Sequence, residues 1–129
     1  VLTILKEEKT NMNQSILLAE GENILFKNKI VNAEIKNDSG GIIDLDKVCG
    51  DIVLRGRNYG DRIKLAGNSF TSSVKKLLNE RIRADKRPYI HFLSDSCGVI
   101  YIEGIGVAER VKADCNTSMS LYLTIKDVV

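Results

Sequence analysis

Short apolar stretches separated by polar turn residues run through the first 55 residues of the chain. The clearest stretch is residues 30–36, where apolar and polar side chains alternate from Val31, as in a half-buried strand. Turn-forming clusters at residues 20–23 and 37–41 interrupt the pattern, and the first of them predicts a β-hairpin. Because no helical spacing occurs here, we expect hairpins or a small barrel. Further strands are predicted at residues 1–5, 15–19, 23–26, 42–46 and 51–55.

A helical pattern replaces the strand pattern after residue 71. Ser72 or Ser73 can cap the N-terminus of a helix, because a serine hydroxyl accepts a hydrogen bond from a backbone N–H two or three residues later. Asp85 can cap a second, short helical turn, whose extent Pro88 limits. The apolar stripe of the main helix consists of Val74, Leu77, Leu78 and Ile82.

Strand patterns return in the last third of the chain. Residues 90–93 and 99–102 flank a turn at residues 94–98, which predicts a second β-hairpin. Extended segments are also expected at residues 107–112 and 119–125. Strands followed by one main helix and further strands indicate an α+β fold. We therefore expect a β-rich N-terminal part, then a mixed α/β unit with one main helix packed on an antiparallel sheet.

Positive charge is concentrated in residues 54–91. This segment holds ten Lys and Arg against three Asp and Glu, a net +7, whereas the other 91 residues hold nine and fourteen, a net −5. The formal charge of +2 over 129 residues hides this asymmetry. Such a basic block favours a polyanionic partner such as nucleic acid, and a solvated helix face rich in Lys and Arg is the alternative. The change in composition suggests two units, a β-rich linker or support region at 1–53 and a second domain at 54–129.

The overall composition is that of a globular protein, with 43% hydrophobic and 28% charged residues. No apolar run approaches the roughly 18–20 residues of a membrane-spanning helix, so no membrane association is expected. The chain starts at Val1 without a signal-peptide pattern, which suggests a segment of a longer, cytoplasmic protein. Cys49, Cys97 and Cys115 lack the paired spacing of a zinc site, so we expect reduced thiols that are buried or incidental.

Motifs for catalysis and metal binding are weak. The turn at residues 39–41 reads Ser-Gly-Gly, as in ATP-binding loops of the SGGxDS type, but the aspartate comes one position late and no serine follows. The only histidine, His91, lies in an apolar strand pattern, which favours a structural role. Asp44 and Asp46 have no third metal ligand nearby in the chain, so a turn or strand edge is the simpler interpretation. We therefore predict no catalytic residue and no metal site.

The most specific pattern lies in the basic segment and in the hairpin after it. It reads R-x-R-x-x-G-D-R-I from Arg55, then Lys-Lys-Leu at residues 75–77, and later G-x-I-x-I-x-G from Gly98. Together these motifs resemble the C-terminal domain of bacterial tRNA(Ile)-lysidine synthases, which are PP-loop ATPases. Arg83 and His91 stand where the family has proline, and this changes backbone stiffness more than chemistry. The matching positions are Arg55, Arg57, Gly60, Asp61, Arg62, Gly67, Lys75, Lys76, Leu77, Ile82, Arg87, Gly98, Ile100, Ile102 and Gly104.

The resemblance extends over residues 42–125 and implies a function. Enzymes of this family use ATP and lysine to convert the wobble cytidine of an isoleucine tRNA to lysidine, with ATP and Mg in an N-terminal domain outside this sequence. The resemblance implies that residues 54–129 hold the tRNA on its acceptor-stem side, without catalysis or a cofactor of their own. The candidate RNA contacts are Arg55, Arg57, Arg62, Lys75, Lys76, Arg81, Arg83 and Arg87, and the candidate structural residues are Gly60, Asp61, Gly67 and Gly104.

Two other classes of function remain open. The hairpin at residues 90–102 and the apolar final strands could pair between subunits, as in a protein-interaction module or a homodimer. A free-standing enzyme is the third possibility, and stabilisation of the chain by ATP or a metal ion would support it.

Overall fold

The computed structural model describes residues 15–26 and 29–127 of the chain. In this part, eleven short strands form three antiparallel sheets, accompanied by one α-helix, α1 (Val74–Arg81). The β-rich α+β fold with one main helix is therefore confirmed. The strand predicted at residues 1–5 lies outside the described residues. The strands are β1 (Ser15–Leu17), β2 (Gly21–Asn23), β3 (Lys29–Lys36), β4 (Ile43–Asp44), β5 (Val53–Arg55), β6 (Arg62–Ile63), β7 (Ser72–Ser73), β8 (Phe92–Asp95), β9 (Gly98–Ile102), β10 (Gly106–Val107) and β11 (Ser120–Asp127).

Two larger sheets carry most of the fold. One has five strands in the order β1-β5-β8-β9-β10, and the other has four in the order β2-β3-β11-β4. The predicted second hairpin forms as β8 and β9. The alternating stretch at residues 30–36 forms β3, which pairs with β11 over eight register positions. A two-stranded ribbon of β6 and β7 leads directly into α1.

The hairpin expected around residues 20–23 is wrong. β1 pairs with β5 and β2 pairs with β3, so these two neighbouring strands belong to different sheets. The Asn23 side chain gives the reason, because its oxygen accepts from the N–H of Ala19 (2.9 Å) and its amide donates to the Ala19 carbonyl (2.8 Å). These bonds satisfy backbone groups that a hairpin partner would otherwise engage. Neither larger sheet closes on itself within the described residues, so the small barrel does not form either.

Strands from both sides of residue 53 pair with each other. β1 pairs with β5 in one sheet, and β3 pairs with β11 in the other. The division into residues 1–53 and 54–129 stays a prediction. If the division holds, the two units share both sheets, because strands of one unit pair with strands of the other.

The main helix begins where its sequence predicts. Ser73 is the N-cap, and its hydroxyl accepts a hydrogen bond from the N–H of Lys76. The helix ends just before Ile82, which is half-buried against the core. The buried side chains of the predicted apolar stripe are Val74, Leu77 and Leu78.

The second helical turn forms later in the chain than predicted. It is a 3-10 turn at Arg87–Tyr89, and its N-cap is Lys86, whose side chain makes no capping bond. The cap predicted at Asp85 is wrong, because this exposed side chain pairs with Arg83 at 3.4 Å instead. Pro88 suits the start of the turn, where its missing N–H is not needed.

The end of the chain is only partly extended. β10 ends at Val107, and a 3-10 turn follows at Glu109–Val111, so the extended segment predicted at residues 107–112 is wrong in its second half. The turn buries the Val111 side chain completely, and this burial accounts for its place in the fold. The extended segment predicted at residues 119–125 is confirmed as β11.

The hydrophobic core is one continuous cluster that draws on every large element. It includes completely buried side chains from the five-stranded sheet, from the four-stranded sheet and from the helix. Burial of this apolar surface is the main term that stabilises the arrangement. The largest of these side chains include Leu54, Phe92 and Ile100 in the five-stranded sheet, Leu121 in the four-stranded sheet and Leu78 in α1.

Candidate nucleic-acid interface

An arginine–aspartate pair holds the loop between β5 and β6. The guanidinium of Arg55 donates to both carboxylate oxygens of Asp61, with N–O distances of 3.0 Å. It also donates to the Ser94 hydroxyl (3.2 Å) and lies over the Phe92 ring, 5.6 Å from its centre. The Arg55 side chain is only 12% exposed. The fold therefore occupies this guanidinium, and its predicted contact with RNA stays a prediction.

Asp61 also shapes the tip of this loop. Its carboxylate accepts from the N–H of Asn58 (2.8 Å), while the Asp61 N–H donates to the Asn58 carbonyl (3.3 Å). Gly60 closes the turn at φ +85°, a left-handed conformation that costs glycine little. The turn leaves the Tyr59 side chain 99% exposed. The loop is thus a braced turn that presents one aromatic side chain, with Arg57 on its approach.

The ribbon after the loop leads to the start of α1. Arg62 pairs with Ser73 across the ribbon, directly before the helix. Lys75 and Lys76 follow in the first helical turn, and both are exposed, as is Arg62. The first turn of α1 contains no acidic residue, so the two lysines add to the positive end of the helix dipole. We refer to Arg57, Arg62, Lys75 and Lys76 together as the loop–helix surface.

Arg87 has a different environment from the loop–helix surface. Its guanidinium is half-buried and donates to three backbone carbonyls at the C-terminal end of α1. The last carbonyls of a helix lack partners further along it, although that of Leu78 also accepts from the Ile82 N–H at 2.9 Å, so Arg87 acts as a side-chain cap. The acceptors are the carbonyls of Leu78 (3.2 Å), Asn79 (3.3 Å) and Ile82 (2.8 Å).

Two further predicted contacts, Arg81 and Arg83, are exposed near the same end of the helix. Arg81 is five residues after Lys76, which places it about 140° around the helix from that lysine. Arg83 pairs with Asp85 at 3.4 Å, an ion pair in which both side chains are largely exposed. The eight predicted contacts therefore do not form one group, and only four of them belong to the loop–helix surface.

The cations of residues 54–91 differ from the other described cations in their partners. Among the described residues, Arg55 and Arg83 are the only cations of this segment that form ion pairs, and Arg87 is bound to carbonyls. Apart from Arg87, seven cations there have no carboxylate within 4.0 Å in the described part of the chain, whereas five of the six described cations elsewhere have one. The seven are Arg57, Arg62, Lys64, Lys75, Lys76, Arg81 and Lys86, and the five are Lys29, Lys36, Lys47, Arg110 and Lys112.

Two of the seven cations are absent from the predicted contacts. Lys64 is exposed directly after β6, and its carbonyl accepts from the N–H of Glu109 at 2.8 Å. Lys86 is exposed at the cap of the 3-10 turn. The family motif does not include either position. The signal that could have found them is the local surplus of positive charge.

Two of the predicted structural glycines have close neighbours in the fold. The N–H of Gly67 donates to the Glu109 carboxylate at 2.8 Å, and this bond lowers the pKa of Glu109. A Cβ added at Gly104 would lie 3.3 Å from Cδ1 of Ile82, beside the end of the helix. The Gly67 bond supports an element beside the basic segment, and the missing side chain at Gly104 leaves room for Ile82, so neither glycine contributes charge to the segment.

His91 is part of a buried polar cluster. Its Nδ1 lies 2.8 Å from Oε1 of Glu103, and its backbone N–H donates to the same oxygen at 3.0 Å. Lys29 donates to the other carboxylate oxygen at 2.6 Å. Burial would raise the pKa of Glu103, but the hydrogen bonds from His91 and Lys29 outweigh it and hold the pKa at about 2. The imidazole packs edge-on against Phe26, as a structural histidine would.

The aspartate pair before β5 also acts within the fold. Asp44 accepts from the N–H of Asp46 and from the Thr117 hydroxyl, each at 3.0 Å. Asp46 accepts from the Ser118 hydroxyl at 3.2 Å. Within residues 15–26 and 29–127, no three His, Cys, Asp or Glu side chains come together as metal ligands would. No helix of the same residues has the length and hydropathy needed to cross a membrane.

The three cysteines are free and exposed, so the structure excludes burial and leaves the other alternative of the sequence analysis, incidental thiols. Cys49 lies just before β5, Cys97 lies in the turn between β8 and β9, and Cys115 lies in the turn before β11. Connecting segments run over the protein surface, which explains the exposure of all three thiols.

Known proteins of one kind match this chain. It is 39% identical over 91 residues to the tRNA(Ile)-lysidine synthase of Clostridioides difficile, and the alignment covers 70% of this chain and 19% of that protein. It is 32% identical over 81 residues to the tRNA(Ile)-lysidine synthase of Caldanaerobacter subterraneus, and the alignment covers 62% of this chain and 17% of that protein. It is 27% identical over 127 residues to the tRNA(Ile)-lysidine synthase of Clostridium tetani, and the alignment covers 90% of this chain and 27% of that protein. The chain is a homologue of part of the tRNA(Ile)-lysidine synthases.

The tRNA(Ile)-lysidine synthases are longer than this chain, which spans 17% to 27% of the three relatives. A crystal structure of a TILS C-terminal domain has the same fold, with a TM-score of 0.77 at 18% identity. The alignment covers 91% of this chain and 98% of that domain. No family model matches the chain. The resemblance to the C-terminal domain of tRNA(Ile)-lysidine synthases is thereby confirmed.

Proposed function

We propose that this chain is the tRNA-recognition domain of a tRNA(Ile)-lysidine synthase. The observation that carries the proposal is the set of seven cations in residues 54–91 that, besides the carbonyl-bound Arg87, have no carboxylate partner in the described part of the chain. Like charges on one surface repel each other and destabilise the compact state until a polyanion neutralises them. The name of the relatives supplies tRNA as that polyanion.

The loop–helix surface suits the backbone of duplex RNA. Proteins recognise such duplexes through phosphates and 2′-hydroxyls, because the major groove is deep and narrow. Arg57 and Arg62 offer planar guanidinium groups that can bind two phosphate oxygens at once, and Lys75 and Lys76 offer mobile point charges. In this proposal Arg55 has a supporting role, since its donors already hold the loop in shape.

The catalytic steps would take place in another part of the full-length enzyme. That enzyme would use ATP and Mg in its N-terminal domain to attach lysine to the wobble cytidine of an isoleucine tRNA in the cytoplasm. The present domain would hold the same tRNA on its acceptor-stem side and would catalyse no step. The motif resemblance and the relatives support this division of labour.

The alternative of a dimerisation module has less support. It relies on strands that are free to pair between subunits. Within the described residues, β8 lies between β5 and β9, β9 lies between β8 and β10, and β11 lies between β3 and β4. β8 and β9 therefore have a partner strand on both edges, whereas β11 meets β4 only at Ser120 and Leu121, so the rest of that edge is where the alternative could still act.

Binding of isoleucine tRNA by charge-reversal variants tests the proposal. We expect Lys75→Glu/Lys76→Glu to weaken binding about tenfold or more in fluorescence anisotropy at low salt, because two phosphate contacts become repulsive. The matched control is Lys36→Glu/Lys126→Glu, which makes the same change of net charge on the four-stranded sheet. We expect the control to bind within about threefold of wild type. Equal weakening by the two double variants would contradict the proposal.

A further inference from the structure

Two of the exposed cysteines meet at one end of the five-stranded sheet. Asp95 holds both, because one carboxylate oxygen accepts from the N–H of Cys49 and the other from the N–H of Cys97, each at 2.9 Å. The Ser96 N–H also donates to the Cys49 carbonyl at 2.9 Å. One carboxylate and one backbone hydrogen bond therefore fix the two cysteines side by side, although they are far apart in the sequence.

The side chains of the two cysteines face each other. The hydrogen bond between the two thiols, followed by the charge of Cys97, raises the pKa of the Cys49 thiol. Arg110 donates to Asp95 at 2.9 and 2.6 Å and lies close enough to both thiols to interact with their charges. The Arg110 guanidinium alone would favour the thiolate, which is the nucleophile in disulfide exchange, but Cys97 and Asp95 outweigh it at Cys49. The site thus contains two accessible thiols beside an arginine–aspartate ion pair.

We propose that Cys49 and Cys97 are a redox-active pair that forms a reversible internal disulfide by exchange with a small-molecule disulfide. A disulfide requires Cα atoms about 4.4–6.8 Å apart, a separation within reach of two residues whose N–H groups bind the same carboxylate. Both thiols are exposed, so a small reagent can reach them. Cys115 lies in a different turn and serves as an internal control.

The exchange takes place in two steps that balance in atoms and electrons. One protein thiolate attacks a sulfur atom of the small-molecule disulfide, which forms a mixed disulfide and releases one small thiolate. The second protein thiolate attacks the protein sulfur of the mixed disulfide, which forms the Cys49–Cys97 bond and releases the second small thiolate. The two protein thiols are oxidised, the small disulfide is reduced, and the two thiol protons go to the released thiolates.

The internal disulfide would enclose the whole basic segment. Cys49 precedes residues 54–91 and Cys97 follows them, so the bond would close a covalent loop around all seven unpaired cations of that segment. Closing a long loop restricts the unfolded chain and thereby favours the folded form. The bond would also tie the chain before β5 to the turn between β8 and β9.

Equilibration of the chain with oxidised and reduced glutathione tests the proposal. Free thiols are alkylated, and the products are mapped by mass spectrometry of unreduced peptides. We expect wild type to give a peptide cross-linked between Cys49 and Cys97, and to regain both thiols after treatment with dithiothreitol. Cys49→Ser and Cys97→Ser should each abolish the cross-link and leave glutathione on the remaining member of the pair. Cys115→Ser should form the cross-link as wild type does.

The same experiment gives the opposing result if the proposal is wrong. Glutathione on each of the three wild-type cysteines, without an internal cross-link, would overturn it. A cross-link that disappears in Cys115→Ser would also overturn it, because the pair would then include the wrong cysteine. These readouts use no tRNA, so their failure leaves the proposed tRNA-binding role untouched.

Discussion

The basic segment and the rest of the described chain hold their positive charges in different ways. Outside residues 54–91, a cation typically has a carboxylate nearby, as in Lys29–Glu103 at 2.6 Å and Arg110–Asp95 at 2.6 Å. Inside the segment, seven cations besides the carbonyl-bound Arg87 have no such partner among the described residues. The difference teaches that net charge is a poor guide to function here. The number of cations without a partner identifies the region where a polyanion would bind.

The basic segment itself contains two kinds of arginine. Arg55 and Arg87 are bound to a carboxylate and to backbone carbonyls, and they hold the loop and the helix end in place. Arg57 and Arg62 have no carboxylate partner in the described chain. The same residue type therefore supports the surface in some positions and supplies its charge in others. Three further experiments test how sharp these distinctions are.

The largest effect is expected for the Arg55–Asp61 pair. Asp61→Ala would leave the Arg55 guanidinium, which is 12% exposed, without its carboxylate, and the Asn58 N–H without its acceptor. Because breaking a largely buried pair strands a charge, we expect the free energy of unfolding to fall by about 3 kcal/mol. Urea denaturation at neutral pH measures this change. A decrease of less than about 1 kcal/mol, as for an exposed ion pair, would show that the Arg55–Asp61 pair contributes little to stability.

A smaller, pH-dependent effect is expected for Glu103, which lies outside the basic segment. Its pKa is about 2 in the fold against an ordinary 4.5, so ionised Glu103 stabilises the fold above about pH 4.5. This contribution is lost as the pH falls from there towards 2. Glu103→Gln should lower the free energy of unfolding by about 2 kcal/mol at neutral pH, allowing for partial solvent screening. The difference from wild type should shrink in acid.

Urea denaturation from neutral pH down to about pH 2 provides the Glu103 measurement. The matched control is Glu22→Gln, an exposed carboxylate on β2, which should show no such dependence. A deficit of Glu103→Gln that stays constant across this range would contradict the assignment, because it would not depend on ionisation.

The smallest effects compare one paired and one unpaired lysine. Lys47 donates to Asp114 at 3.0 Å, whereas Lys75 has no carboxylate partner among the described residues. Lys47→Gln should lower the melting temperature by about 2 °C, and Lys75→Gln should leave it unchanged or raise it slightly by relieving repulsion. Differential scanning calorimetry at low salt measures both shifts, and added salt should reduce the difference. If Lys75→Gln lowered the melting temperature more than Lys47→Gln does, paired and unpaired lysines would not differ as described.

Local signals in the sequence predict the helix and the second hairpin. Ser73 and the apolar stripe that follows specify α1 through contacts between near neighbours, and the turn between β8 and β9 joins adjacent strands. The family motif likewise predicts the braced loop around Asp61. Each of these features depends on residues within a few positions of one another, which is the range that periodicity and capping describe.

Features that depend on distant residues could not be predicted in this way. The turn after β1 suggests a hairpin, but tertiary pairing sends β1 to β5 and β2 to β3. The motif predicts both Arg55 and Arg57 as RNA contacts. Only the folded loop shows that Arg55 is bound to Asp61. Cys49 and Cys97 come together only because Asp95 binds the backbone of each. Spacing along the chain carries no information about such contacts.

The pairing of β3 with β11 has a consequence for how the molecule assembles. Lys29 opposes Asp127 and Lys36 opposes Ser120, so these register positions join residues from nearly opposite ends of the described chain. Loop closure over such a span must precede any gain from the contacts, which slows folding relative to a chain of local pairs. β4 also pairs with β11, and Ile43 forms a single further bridge with Lys112. During synthesis on the ribosome, β3 and β4 must therefore wait for their common partner β11, which is made after every other described strand.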